Sequence, residues 1–183
     1  MKKSPVVLVV AIGIGAALFF VLGRFVAIPS PIPNTTISAQ YGLLAFMAAL
    51  FGPVAGLLIA FIGHALIDFS YGWGIWWSWV IASGVTGFIM GLSAKKVLLS
   101  TEPFTGDKIL KFNIYQVVGN IIAWGLIAPV LDILIYAEPA NKVFTQGLVA
   151  GIANIVTTAI IGTLLCFAYS KTKPAAGSLK KED

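Results

Sequence analysis

The sequence predicts an all-α integral membrane protein with six transmembrane helices and both termini cytosolic. Three observations carry that prediction. Of 183 residues, 58% are hydrophobic and only 10% charged, where a soluble domain carries about 25% charged residues. The apolar residues fall into runs divided by prolines, glycines and short charged segments, the pattern of helices that must satisfy their backbone in lipid. The lysines gather on one side of those runs, as the positive-inside rule requires. Nineteen glycines suit close helix packing in a membrane. The single cysteine, Cys166, excludes an internal disulfide and any cysteine metal cluster. A pI near 9.4 would point to nucleic acid in a soluble protein. Here the lysines serve as topology markers, and no nucleic-acid partner is expected.

The first span is read at residues 5–27, behind Lys2 and Lys3. Its apolar run outlasts a signal peptide and shows no small-residue cleavage site before Pro29, so it reads as a retained helix. Pro29, Pro31 and Pro33 stop the helix, because proline lacks an amide donor and restricts the residue before it. The segment 28–37 is therefore a loop ordered by restricted backbone. Two shorter apolar helices follow at 38–51 and 54–69, with Gly52 ending one and Pro53 starting the next. They read as short spans with modest bilayer thinning, and a re-entrant pair would keep the same parity. The fourth span is 75–94, the polar segment 95–111 follows, and the fifth span is 112–131. A mixed loop, 132–145, leads to the sixth span at 146–169. Residues 1–170 make up the membrane domain, and 171–183 a polar cytosolic tail.

With six spans, the cytosolic side holds Lys2, Lys3, Lys95, Lys96, Lys108, Lys111, Lys171, Lys173, Lys180 and Lys181. The outer side holds Lys142 and Arg24. That asymmetry fixes the orientation.

The chain lacks the usual signatures of catalysis. There is no glycine-rich phosphate loop followed by lysine, no HExxH around its one histidine, no serine–histidine pairing and no paired-carboxylate motif. Neither a catalytic residue nor a cofactor or metal is expected, and any transport would draw its energy from elsewhere. The spans also lack the series of acids and bases that proton-coupled pumps use.

Polar and aromatic residues instead collect toward the outer half. His64 and Asp68 are four apart on one helical face. They serve either as donor and acceptor in an outward-facing pocket, or as an interhelical bond and a water-facing helix end. Asn120 and Trp124 form a second pair spaced by four, and Asn154 lies inside the sixth span. Asparagine amides in hydrocarbon need partners, which pocket lining and interhelical contact both provide. Trp73, Trp76, Trp77 and Trp79 mark the outer interface, denser than an aromatic belt needs. They cannot all face one way, and at least one ring is expected to face inward. On the first helix, Ala11 with Gly15 and Gly13 with Ala17 repeat at four. Such small residues make a strip for close contact, within the bundle or with a separate membrane subunit.

The stretches "AIGIGAALFFVLGRF", "PSPIPNTTIS", "FGPVAG", "IGHALIDF" and "WWSWVIASG" resemble the substrate-binding S components of energy-coupling factor (ECF) transporters. The likeness covers nearly the whole chain, which looks like an uncharacterised family within that group. It implies a multi-pass protein of the bacterial cell membrane that captures a small water-soluble vitamin or precursor outside. The implied partners are a transmembrane coupling protein and two cytosolic ATPases, with a toppling movement delivering substrate. Ala11, Gly13, Gly15 and Ala17 map onto the strip that meets the coupling protein, although the usual form has alanines where two glycines stand here. The loop 28–37 maps onto the segment that closes the pocket, with Asn34 as its polar contact. Relatives of this kind are linked with hydroxymethylpyrimidine, the thiamin precursor. An aminopyrimidine suits aromatic faces such as Trp76 and Trp77 with His64, Asp68, Asn120, Trp124 and Asn154. An independent secondary transporter or channel, or a small membrane enzyme, are the competing readings.

Overall fold

The computed structural model describes residues 4–72 and 74–172. Lys2, Lys3, Trp73 and the tail from 173 onward lie outside the described residues. Five helices are long and apolar enough to cross a membrane: α1 Pro5–Phe25, α3 Pro53–Tyr71, α4 Trp77–Val97, α5 Gly106–Tyr136 and α6 Ala140–Lys171. A sixth apolar helix, α2 Gln40–Phe51, has 12 residues, about 18 Å of rise. Large apolar side chains such as Val6, Val9, Phe25, Leu134 and Leu164 stand exposed around the bundle, so the solvent that suits this surface is lipid. The chain is an all-α, multi-pass membrane protein.

Local chemistry sets the ends. The Ser4 hydroxyl accepts the Val7 amide at 3.3 Å, and Pro5 opens α1. Gly52, at φ 90°, separates α2 from α3 and hands over to Pro53. Gly72 closes α3 in the left-handed region at φ 83°. Within α4, Trp77–Leu92 continues past Ser93 as the short turn Ala94–Val97.

Two expected boundaries move. The fifth helix begins at Gly106, inside the segment read as a polar connection: Asp107 stands in its first turn, where an acid suits the helix dipole, and pairs with Lys111 at 2.6 Å along the helix surface. The mixed loop 132–145 shrinks to 137–139: α5 runs on to Tyr136, and α6 starts at Ala140 behind Pro139. Asp132, read as a loop acid, is thus a buried helical residue whose carboxylate has partners inside the bundle. The loop after α1 carries a feature that a purely helical reading omits, a two-residue antiparallel ribbon pairing Ile28–Pro29 with Thr36–Ile37.

Helix α2 runs through the middle, with Gln40, Tyr41, Gly42, Leu44, Ala45, Ala48, Ala49 and Leu50 all buried. Its other residues, Leu43, Phe46, Met47 and Phe51, are half-buried, so no residue of α2 is exposed. Helices α3 and α4 meet backbone to backbone. A Cβ built at Gly56 would fall 2.1 Å from the Gly87 carbonyl oxygen, and one at Gly87 would fall 2.1 Å from that of Gly56. Small residues let helices approach this closely, where dispersion must replace the hydrophobic effect. Helix α5 contains a π-helical turn, Ala123–Ile127, just before Pro129. Proline has no N–H for the helical ladder, and the chain accommodates it with a wide turn.

Candidate substrate-binding cavity

The C-terminal ends of α1, α3 and α5, the N-terminal ends of α2, α4 and α6, and the 28–37 loop enclose a cavity of about 390 Å³. That volume lies at the lower end of the range for small-molecule sites, roughly 300–1,000 Å³.

Helix α3 contributes His64 and Asp68 one turn apart. His64 Nε2 lies 3.6 Å from Asp68 Oδ1, farther than a hydrogen bond. The Trp76 backbone N–H donates to Asp68 Oδ2 at 2.9 Å, tying the start of α4 to the end of α3. His64 Nδ1 and the Tyr41 hydroxyl share Ser83 Oγ at 2.5 and 2.7 Å. Helices α2, α3 and α4 are thereby joined beneath the cavity.

Asp132 organises the opposite wall. Its Oδ1 accepts from the Trp76 indole N–H and from the Ser78 hydroxyl, and its Oδ2 accepts from the Trp79 indole N–H at 2.9 Å. The carboxylate is 2% exposed, and three donors offset its loss of water. With their N–H edges held, the two indoles present faces. Trp76 stacks on Tyr136 with centroids 4.3 Å apart, and Trp79 stacks on Trp124 at 5.5 Å. Tyr41 meets Trp124 edge-on at 5.5 Å.

Trp124 sits in the π-helical turn, a local geometry that recurs at functional sites. Its indole N–H donates to Asn120 Oδ1 at 3.0 Å, and the Asn120 amide donates to the Gln116 carbonyl at 2.8 Å. Glycines on α6 make room for the turn. A Cβ at Gly147 would fall 2.1 Å from the Trp124 carbonyl oxygen, and one at Gly151 would fall 3.2 Å from Trp124 Cβ.

The loop is braced from within and from α6. The Ser30 and Thr35 hydroxyls bond to each other, and Thr35 Oγ1 donates to the Ile32 carbonyl at 2.6 Å. Asn34 takes φ 59°, a left-handed conformation that asparagine tolerates. Gln146 Nε2 donates to the Pro33 carbonyl at 2.9 Å, fastening the loop to the bundle. Asn34, Thr35 and Thr36 then line the cavity mouth.

Of the residues singled out in the sequence, Asn34, His64, Asp68, Trp76, Trp124 and Asn154 line one cavity. Trp77 turns outward, 44% exposed and tilted against Phe61. Asn120 is fully buried behind Trp124, where it holds the ring. The small residues of α1 divide between two faces. Ala11 and Gly15 are buried in the bundle, with Ile59 Cδ1 2.6 Å from a Cβ at Gly15, whereas Gly13 and Ala17 are exposed. Near the far end of α1, Val6, Val10, Ala11 and Ile14 border an apolar hollow with Met47 and Phe51 of α2.

Sequence reasoning missed Gln40, Tyr41, Trp79, Asp132, Glu138, Lys142 and Gln146 as lining residues. Asp132 had a signal: an acid inside "APVLDILIY" interrupts an otherwise apolar helix, and such an acid needs donors nearby. Among the described residues, no group of histidine, cysteine, aspartate and glutamate is placed to hold a metal ion.

Comparison with known proteins agrees with this architecture. A family model described as "ECF-type riboflavin transporter, S component" matches residues 3–171. A UPF0397 protein of Enterococcus faecalis is 54% identical over 99% of this chain and 99% of its own length. A UPF0397 protein of Lactococcus lactis is 54% identical over the whole of both chains, and one from Staphylococcus aureus is 51% identical over the whole of both. Family membership places the work of the molecule in transport rather than catalysis. The chain belongs to the S-component family of ECF-type transporters.

Proposed function

We propose that this protein is the substrate-capture subunit of an ECF-type importer in a bacterial cell membrane. It takes up a planar heteroaromatic vitamin or vitamin precursor, with hydroxymethylpyrimidine as the first candidate. The observation that carries this reading is the cavity of about 390 Å³, walled by aromatic faces, floored by buried hydrogen-bonded groups and covered by a braced loop. Aromatic faces stack on flat rings, and a few placed polar groups fix their orientation. Riboflavin, named in the family description, is the second candidate, and the cavity volume gives it a place in the same test.

In this reading all six helices cross the membrane, α2 with the bilayer thinned around it, and both termini are cytosolic. Lys95, Lys96, Lys108, Lys111 and Lys171 belong to the end away from the cavity, and Arg24 and Lys142 to the cavity end, which supports an outward-facing site. Energy comes from a transmembrane coupling protein and two ATPase subunits, because the chain has no phosphate-binding loop of its own. The exposed Gly13 and Ala17 face of α1 is the part of the small-residue strip open to that partner.

Reconstitution in proteoliposomes tests the reading. Uptake of labelled substrate is expected only when the coupling protein, both ATPases and ATP are present. Uptake by this chain alone would identify a secondary transporter or channel instead.

A further inference from the structure

Helix α5 carries polar side chains at Asn113, Gln116 and Asn120 and the indole of Trp124, a spacing of three and four that sets them on one face. Each is bonded to the next. The Trp124 indole N–H donates to Asn120 Oδ1 at 3.0 Å, and the Asn120 amide donates to Gln116 Oε1 at 3.2 Å. The Gln116 amide donates to Asn113 Oδ1 at 3.3 Å, and the Asn113 amide to Thr163 Oγ1 of α6 at 3.1 Å. From the cavity ring at Trp124 to Asn113 the chain follows about 16 Å of helix rise. It starts in the π-helical turn Ala123–Ile127 and ends at the residue after a second such turn, Thr158–Gly162 of α6.

All four bonds point the same way, and that direction is fixed. An indole nitrogen only donates, so Asn120 must turn its oxygen to Trp124 and its nitrogen to Gln116. Backbone carbonyls only accept, and each amide also donates to one. Asn120 reaches the Gln116 carbonyl at 2.8 Å, Gln116 that of Ile155 at 3.4 Å, and Asn113 that of Ile109 at 3.0 Å. No amide can turn over without setting like against like. Hydrogen bonds aligned in a chain polarise one another, by roughly 10–30% per bond, and more effectively where water is excluded. Gln116 is 1% exposed and Asn120 0%.

We propose that Gln116, Asn113 and Thr163 are positioning residues for the cavity. None of them lines it. Acting through Asn120, they set how firmly the Trp124 N–H is held, and with it the orientation of a ring that stacks on Trp79 and meets Tyr41 edge-on. Coupling of this kind is reciprocal, so an occupant resting on Trp124 alters the same bonds down to the α5–α6 contact at Thr163. The effect on the ring belongs to the ligand-free protein; the effect on binding rests on the capture reading above.

Proton–nitrogen correlation spectra of the purified full chain in detergent test it. The Trp124 indole resonance is assigned by its loss in Trp124→Phe. It should move upfield most in Asn120→Ala, less in Gln116→Met and least in Asn113→Ala, while the Trp76 indole, held by Asp132, stays in place. Gln116→Glu keeps an acceptor toward Asn120 and should leave the Trp124 resonance at its wild-type position or downfield of it. If Gln116→Met fails to fold, Asn113→Ala at a half-buried position carries the test. A Trp124 resonance unmoved by Gln116→Met and Asn113→Ala would make these separate local bonds and overturn the proposal, as would an equal shift at Trp76. Affinity for hydroxymethylpyrimidine, used as the probe, should fall several-fold in Gln116→Met and return in Gln116→Glu. A moved resonance with unchanged affinity would reduce the chain to an internal brace and overturn the positioning role. No binding by the unaltered chain counts against the substrate reading alone, because the order of shifts is read without ligand.

Discussion

At the cavity end, α4 is tied to α5 by three hydrogen bonds converging on Asp132, whereas toward the other end α3 and α4 touch through the bare backbones of Gly56 and Gly87. Both arrangements answer the same difficulty: lipid tails are as apolar as leucine, so burying apolar surface does little to bring helices together. The glycine contact gains dispersion from close approach and leaves no space. The aspartate contact joins the helices through directional bonds and fixes the indoles of Trp76 and Trp79, which line the cavity. One end is therefore sensitive to added volume, and the other to a lost acceptor.

The largest effect should come from volume at the glycine crossing. Gly56→Val places carbon against the Gly87 carbonyl, already 2.1 Å from a single Cβ, and neither backbone can turn aside. A loss of about 4 kcal/mol or more is expected, read as a large fall in thermal midpoint in detergent or as aggregation on size exclusion. A Gly56→Val protein with wild-type stability would mean that the two helices do not cross there.

Next comes the acceptor. Asp132→Ala orphans the Trp76 and Trp79 indoles and the Ser78 hydroxyl together, at an expected cost of about 3 kcal/mol. Freed from their anchor, the rings lose their stacked order, and ligand affinity should fall about tenfold or more. Asp132→Asn retains an acceptor oxygen and should lose about half as much stability. Tryptophan fluorescence reports the change in ring environment directly, and an unshifted spectrum in Asp132→Ala would contradict the assigned role.

Much of the fold was legible in the sequence, but neither Asp132 nor the Gly56–Gly87 crossing was, and the reasons are physical. Proline and glycine at 52–53 and the proline run at 29–33 act through local backbone geometry, so the breaks fell where expected. His64 and Asp68 share a face through helical periodicity alone, and they do meet. Asp132 was hidden because charge in an apolar run reads as a helix end, while its donors come from residues 53 to 56 positions earlier in the chain. Trp76 and Trp79 were equally ambiguous: an indole looks the same in sequence whether it faces lipid, like Trp77, or a cavity. The strip on α1 was read as one surface because four-residue spacing was counted without the two-residue offset between its pairs, about 200° around a helix.

That offset gives the third prediction. Gly15 faces Ile59 and Met47, with Ile59 Cδ1 2.6 Å and Met47 Cε 3.3 Å from a built Cβ. These are side-chain atoms and can give a little, so Gly15→Leu should cost about 2 kcal/mol, less than the same intrusion between two backbones. A thermal midpoint lowered as far as that of Gly56→Val would mean that Ile59 is as unyielding as a carbonyl.

The smallest effect on the chain itself should come two residues away. A Cβ at Gly13 meets nothing within 4 Å, and a leucine there gains roughly 0.8 kcal/mol of helix propensity over glycine. Gly13→Leu should therefore fold as well as the wild type and bind substrate unchanged, since α1 reaches the cavity only near Gly23. If the outward face of α1 docks on the coupling protein, the same leucine stands in that interface and should weaken pull-down of the coupling module several-fold. The pair separates two roles that one spacing had merged. Stability lost in Gly15→Leu with assembly lost in Gly13→Leu assigns one face to the bundle and the other to the partner. Undiminished pull-down with Gly13→Leu would place the partner contact elsewhere, and the apolar hollow between α1 and α2 around Val10 and Phe51 would be the next surface to test.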